Sequence, residues 1–101
     1  MSRRYDVEVS EIAREKLIRH AVFLAEVDME DALRLTDRFE TTANSLMENP
    51  ERGSWVNEDF LPKYTYRKLH IYKWYWIYYV VLDDMVYIET IRDTRQEDAQ
   101  F

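Results

Sequence analysis

The spacing of apolar residues along this chain changes period twice. In "RYDVEV", Tyr5, Val7 and Val9 alternate with Asp6 and Glu8, a period of two that predicts a half-buried strand. From Glu11 the period becomes helical. Ala13, Leu17, His20, Ala21 and Leu24 fall on one stripe behind the N-cap residue Ser10, predicting a helix to about Glu26. Asp28 caps a second helix, Glu30 and Asp31 suit the positive end of its dipole, and Leu35, Phe39, Thr42, Ala43 and Leu46 form its apolar stripe. "ENPERGSW" ends it, since Asn49 precedes Pro50 and Gly53 follows.

So short a turn between two helices predicts an antiparallel helical hairpin. After the connecting stretch "VNEDFLPKY" the period returns to two. Strands are expected over about 65–72, 74–82 and 85–92, with Asp83-Asp84 as the tight turn between the last two. The order strand, helix, helix, strand, strand, strand predicts an α+β two-layer domain. The hairpin packs on one face of a mainly antiparallel sheet, and the other face is left open. Length fits a single domain over residues 1–101.

Six aromatic rings lie between Tyr72 and Tyr79. Alternation along a strand separates them: Tyr75, Ile77, Tyr79 and Val81 share one face, Trp74, Trp76, Tyr78 and Val80 the other. One set suits the core under the helices. The second is then expected on the open face, where large aromatics mark a contact surface unless a dimer or a third layer buries them.

Charge sharpens that expectation. The formal net charge is −6, which argues against a general nucleic-acid binder. Residues 60–82, however, carry Lys63, Arg67, Lys68 and Lys73 and no acid. The aromatic stretch thus sits in the basic part of an acidic chain. The absence of cysteine excludes disulfides and thiolate chemistry and suits a cytoplasmic protein. No apolar run is long enough for a signal sequence or a bilayer span, so no membrane association is expected. The histidines stand at no familiar metal spacing and one glycine makes no phosphate loop, so neither metal nor cofactor is expected.

Several short motifs resemble those of one family. "LMENPERGSW" is similar to the helix-ending "NP-x-x-G" segment of the RelE/ParE superfamily, the small toxins of type II toxin–antitoxin (plasmid stabilisation) modules. "YRKLHIYKWYWIYYVV" resembles its "R-x-L…Y-R-V-x-Y-x-V" strands, with Arg67, Leu69, Tyr75, Ile77 and Tyr79 on matching positions. "MVYIETIRDTRQED" resembles its closing "V-x-V-x-x-V-x-H-x-R-x-D", with Arg95 on the arginine and Glu97 on the acidic position. The likeness spans nearly the whole chain.

Two activities follow from the resemblance. RelE-like members cut messenger RNA on the ribosome with basic groups, for which Arg67, Lys68, His70 and Arg95 are the candidates here. Yet Trp76 stands where that group has an arginine, Asp93 where it has a histidine, and no tyrosine or histidine follows Arg95. ParE-like members lack the nuclease residues and poison DNA gyrase by binding. This chain resembles them in that respect, which implies inhibition by binding and neutralisation by a cognate antitoxin.

Trp74, Trp76 and Tyr78, fringed by Lys68, Lys73 and Arg95, are the candidate partner-binding residues, with the open sheet edge as another docking place. A non-toxic interaction module, or a homodimer through the same tryptophans, is the alternative. The plainer roles are an exposed strand residue for His70, a boundary histidine for His20, a helix-hairpin partner for Arg67 and a salt bridge for Arg95.

Overall fold

The computed structural model describes residues 4–95, arranged as β1 (Asp6–Val9), α1 (Glu11–Ala25), α2 (Met29–Ser45), a 3₁₀ turn (Pro50–Arg52), β2 (Ser54–Trp55), β3 (Tyr66–Tyr72), β4 (Tyr75–Leu82) and β5 (Met85–Asp93). The five strands form one mixed sheet in the order β1-β5-β4-β3-β2. Only the β1–β5 pair is parallel. The helical hairpin packs on one face, so the α+β order and the layering are as the sequence predicts. The two-residue edge strand β2 is an addition. Within "ENPERGSW" it is too short to register as a period.

Capping fixes both helix starts. The Ser10 hydroxyl accepts from the Ala13 N–H at 2.9 Å, and Asp28 accepts from the Glu30 N–H at 2.9 Å. Ser10 also donates to the Glu89 carbonyl at 2.6 Å. Tyr79 pairs with Ile88 and Tyr78 with Thr90, so Glu89 is an extra residue on β5, a bulge. The cap of α1 thus also satisfies the backbone of a bulge in the central sheet.

The core lies between the layers. Leu24, Leu35, Phe39 and Leu46 from the hairpin meet Ile71, Tyr75, Ile77, Tyr79, Val86, Ile88 and Ile91 from the sheet. Tyr75, Ile77 and Tyr79 are fully buried, so the alternation chose the core face of β4 correctly. Gly53 passes against that core. A Cβ there would come within 2.5 Å of the Tyr79 hydroxyl and 2.8 Å of the Lys68 carbonyl oxygen. The hydroxyl instead accepts from the Gly53 N–H at 3.0 Å and donates to the Pro50 carbonyl at 2.7 Å, pinning the segment after α2 to the sheet.

Candidate functional site

The sheet face away from the hairpin carries Lys68 and His70 from β3, Trp76 and Tyr78 from β4, and Thr90 and Arg92 from β5. Register sets Lys68 opposite Tyr78, and His70 and Arg92 on either side of Trp76. Trp76 is half-buried at the centre. The Lys68 ammonium lies 5.4 Å from its ring centroid, and the His70 ring meets it edge-on at 5.4 Å. His70 Nε2 is also hydrogen-bonded to the Lys73 carbonyl.

The continuous exposed aromatic row expected from alternation is not there. Tyr78 is only 4% exposed. The loop after β2 folds back over it: Val56 donates to the Tyr66 carbonyl at 2.8 Å, and Glu58 reaches across to Arg92. Arg92 holds Glu58 at 2.7 Å and lies 5.1 Å over the Tyr78 ring. Burial raises the Tyr78 phenol above its ordinary pKa, so it stays protonated near neutrality.

Trp74 also leaves the row. Instead of entering β4 it sits in the β3–β4 turn behind Lys73, whose φ is 49°, and packs against the core side. Thr94 bonds the Trp74 carbonyl through its N–H at 3.0 Å and its hydroxyl at 2.9 Å. The Arg95 guanidinium covers the Trp74 ring at 3.7 Å and grips the buried Asp93 carboxylate through Nε at 3.1 Å and Nη2 at 2.8 Å. Burial alone would raise the Asp93 carboxyl. The Arg95 bonds overcome this and hold it below the ordinary carboxylate value. Arg95 has the salt bridge read as its plainer role, with Asp93 as its partner. Glu97 lies outside the described residues.

Arg67 points to the hairpin side. Its Nη1 donates to the Glu51 and Gly53 carbonyls at 3.0 and 2.9 Å, and its guanidinium stacks 3.8 Å from the Trp55 ring. Its partners are backbone carbonyls rather than an acid of the helices. Of the four nuclease candidates, the structure therefore brings Lys68 and His70 together and places Arg67 and Arg95 elsewhere. Lys73 binds Asp31 of α2 at 2.7 Å and Tyr72 shares the same carboxylate, tying the turn to the hairpin. His20 packs against the Tyr75 ring at 4.8 Å, and its pKa is lowered chiefly by burial.

A second surface escaped the sequence reading. On the outer side of the hairpin Ile12, Ile18, Val22, Phe23, Val27, Met29 and Leu33 are each more than half exposed. Ile18 and Val22 are one turn apart, as are Met29 and Leu33, and Val27 lies in the connecting turn. So large an apolar display is unusual for an isolated domain. The signal was present: these residues fall off the core stripes of α1 and α2, where solvent-facing positions ought to be polar.

Among the described residues no three His, Cys, Asp or Glu side chains cluster to hold a metal, and no helix is long and apolar enough to cross a membrane. A family model described as "ParE toxin of type II toxin-antitoxin system, parDE" matches residues 7–98. The chain belongs to the ParE toxin family. No curated protein matches its sequence. Membership makes it the toxin of a type II toxin–antitoxin system and gives it an antitoxin as partner. The match runs through every element described, from β1 to β5, so the hairpin face and the Trp76 surface both belong to the toxin domain.

Proposed function

We propose that this ParE-family toxin acts by occupying its target, DNA gyrase, rather than by cutting RNA, and that its cognate antitoxin neutralises it in the cytoplasm by covering the helical hairpin. The engagement of the basic groups carries this reading. Cleavage of RNA needs cations converging on one phosphate together with a proton donor and acceptor. Here Arg67 is spent on backbone carbonyls, Arg95 on Asp93 and Arg92 on Glu58, on separate parts of the molecule. The net charge of −6 further disfavours approach to ribosomal RNA.

The hairpin offers the antitoxin an apolar anchor of the kind an amphipathic helix fills. Trp76 and Lys68 provide a smaller contact on the other face of the sheet, whereas Lys73 and Arg95 are held by Asp31 and Asp93 away from it. Such a module suits plasmid stabilisation, in which toxin outlasts antitoxin when the plasmid is lost.

A short pulse of expression in bacteria, with growth, messenger-RNA 5′ ends and gyrase supercoiling followed together, tests the proposal. Growth arrest with inhibited supercoiling and no new 5′ ends is expected. Codon-phased cuts, lost in Lys68→Ala or His70→Ala, would assign the ribosome as target and make the Lys68–Trp76–His70 group the working site. Growth without arrest would leave an interaction or dimerisation module on the same fold.

A further inference from the structure

The edge of the sheet at β2 holds a group that neither the hairpin nor the Trp76 surface uses. Trp55 and Tyr64 meet edge to face, 5.7 Å apart at 83°, and form a corner. With Val56, Asn57 and Lys63 they line a cleft of about 240 Å³. A neighbouring cleft of about 280 Å³ shares both rings and is lined further by Tyr5, Glu51, Arg67 and Asp83, among others. Tyr64 is 72% exposed and Trp55 42%. Tyr64 is moreover held at φ 57°. That left-handed conformation is strained for an aromatic residue.

The backbone beside this corner is also available. Val56 donates inward to Tyr66, so the alternation of an antiparallel ladder turns the N–H and C=O of Trp55 outward. β2 ends the sheet order, and among the described residues no strand lies beyond it.

We infer that the β2 edge is a docking site for an extended peptide segment that pairs with Trp55, lodges an apolar side chain in the Trp55–Tyr64 corner, and carries an acidic residue on one side of that anchor and a basic residue on the other. Each part has its reason. The two rings already touch, so no planar base can be sandwiched between them, whereas an aliphatic side chain fits a corner. Lys63 sits at one cleft and offers an acid its partner. Glu51 and Asp83 sit at the other, where they repel a phosphate chain and attract a cation. Arg67, held at Nη1 by two carbonyls and stacked on Trp55, keeps its charge but offsets only one of these two carboxylates, so the cleft stays net negative. Outward main-chain groups add the hydrogen bonds of a new edge strand. This site stands apart from the hairpin face and holds its peptide whether or not the chain arrests growth.

Amide and indole NMR of the whole chain tests the site. The probe is an end-blocked peptide with a leucine between two valines, glutamate at one end and lysine at the other, made in both orders. At least one order is expected to shift the Trp55, Val56 and Tyr64 signals saturably. Its affinity should exceed that of the all-acidic and all-basic versions about fivefold, the scale of one exposed ion pair. Lys63→Glu should remove that preference and Tyr64→Ala should weaken binding by a similar factor. Each variant is checked for an unchanged spectrum elsewhere. Shifts confined to the hairpin, no shifts for either order, or equal affinity for all charge patterns would overturn the inference. So would shifts at Trp55 and Tyr64 driven better by a single-stranded oligonucleotide, which would make the edge a nucleic-acid site.

Discussion

Asp31, in the first turn of α2, receives the Lys73 ammonium from the β3–β4 turn at 2.7 Å, so one carboxylate fastens the hairpin to the sheet. Lys73 chiefly, and then Tyr72, hold the Asp31 carboxyl below its ordinary value. A depressed carboxylate contributes stability that is fully present above the unfolded value of about 4 and is lost as pH falls through the folded value. Asp31→Asn should therefore flatten the acid limb of the pH–stability profile and leave the core packing unchanged. Urea midpoints at neutral pH and near pH 3 check this. Parallel profiles for the two proteins would show that the contact is too solvent-screened to matter.

Tyr79 and Gly53 make a tighter joint. Gly53→Ala places a methyl group against backbone as well as against the Tyr79 hydroxyl, and the Lys68 carbonyl cannot swing away as a flexible side chain would. The expected loss is about 1–3 kcal/mol. Tyr79→Phe keeps the ring but strands the Gly53 N–H and the Pro50 carbonyl, for about 1–3 kcal/mol. Because both act on one contact, the double variant should cost clearly less than the sum, as chemical denaturation of all four proteins would show.

How far the sequence could be read follows from these contacts. Strand alternation identified Tyr75, Ile77 and Tyr79 as core because each strand position keeps its face through a regular ladder. It misplaced Trp74, which belongs to a turn with a left-handed residue, and Tyr78, whose cover comes from a loop with no period of its own. Ser10 and Asp28 were legible as caps because capping is local. The partners of Arg67 were not, because a bond from β3 to the carbonyls of the 3₁₀ turn and Gly53 depends on how distant segments meet. The hairpin face was written in the off-stripe residues of α1.

His20 gives a second pH effect. Burial is the main cause of its lowered pKa, with Lys16, Arg19 and Arg95 adding to the effect and Asp93 opposing it. A histidine kept neutral by the fold contributes fully above its unfolded value of about 6.5, and the contribution is lost as pH falls through the lower folded value. Replacing it in His20→Phe keeps a ring against Tyr75 and removes the titration. Wild-type protein should lose stability on going from pH 7 to pH 5 relative to this variant. A ring titration of His20 at or above the ordinary histidine value would contradict the assignment.

Val22 on α1 separates folding from recognition. It is exposed at the outer side of the hairpin, so Val22→Glu should change stability by no more than about 0.5 kcal/mol. If the cognate antitoxin lays an apolar helix face over Ile18, Val22, Met29 and Leu33, the same change buries an unpaired carboxylate in the interface. Affinity should fall about tenfold or more, the effect of losing an interface anchor. Trp76→Ala removes the half-buried ring of the other surface and should weaken binding less. Titration of antitoxin against the three proteins, with growth rescue as the cellular readout, gives the comparison. A normal affinity for Val22→Glu combined with a large loss for Trp76→Ala would move the antitoxin from the hairpin to the Lys68–Trp76 face of the sheet.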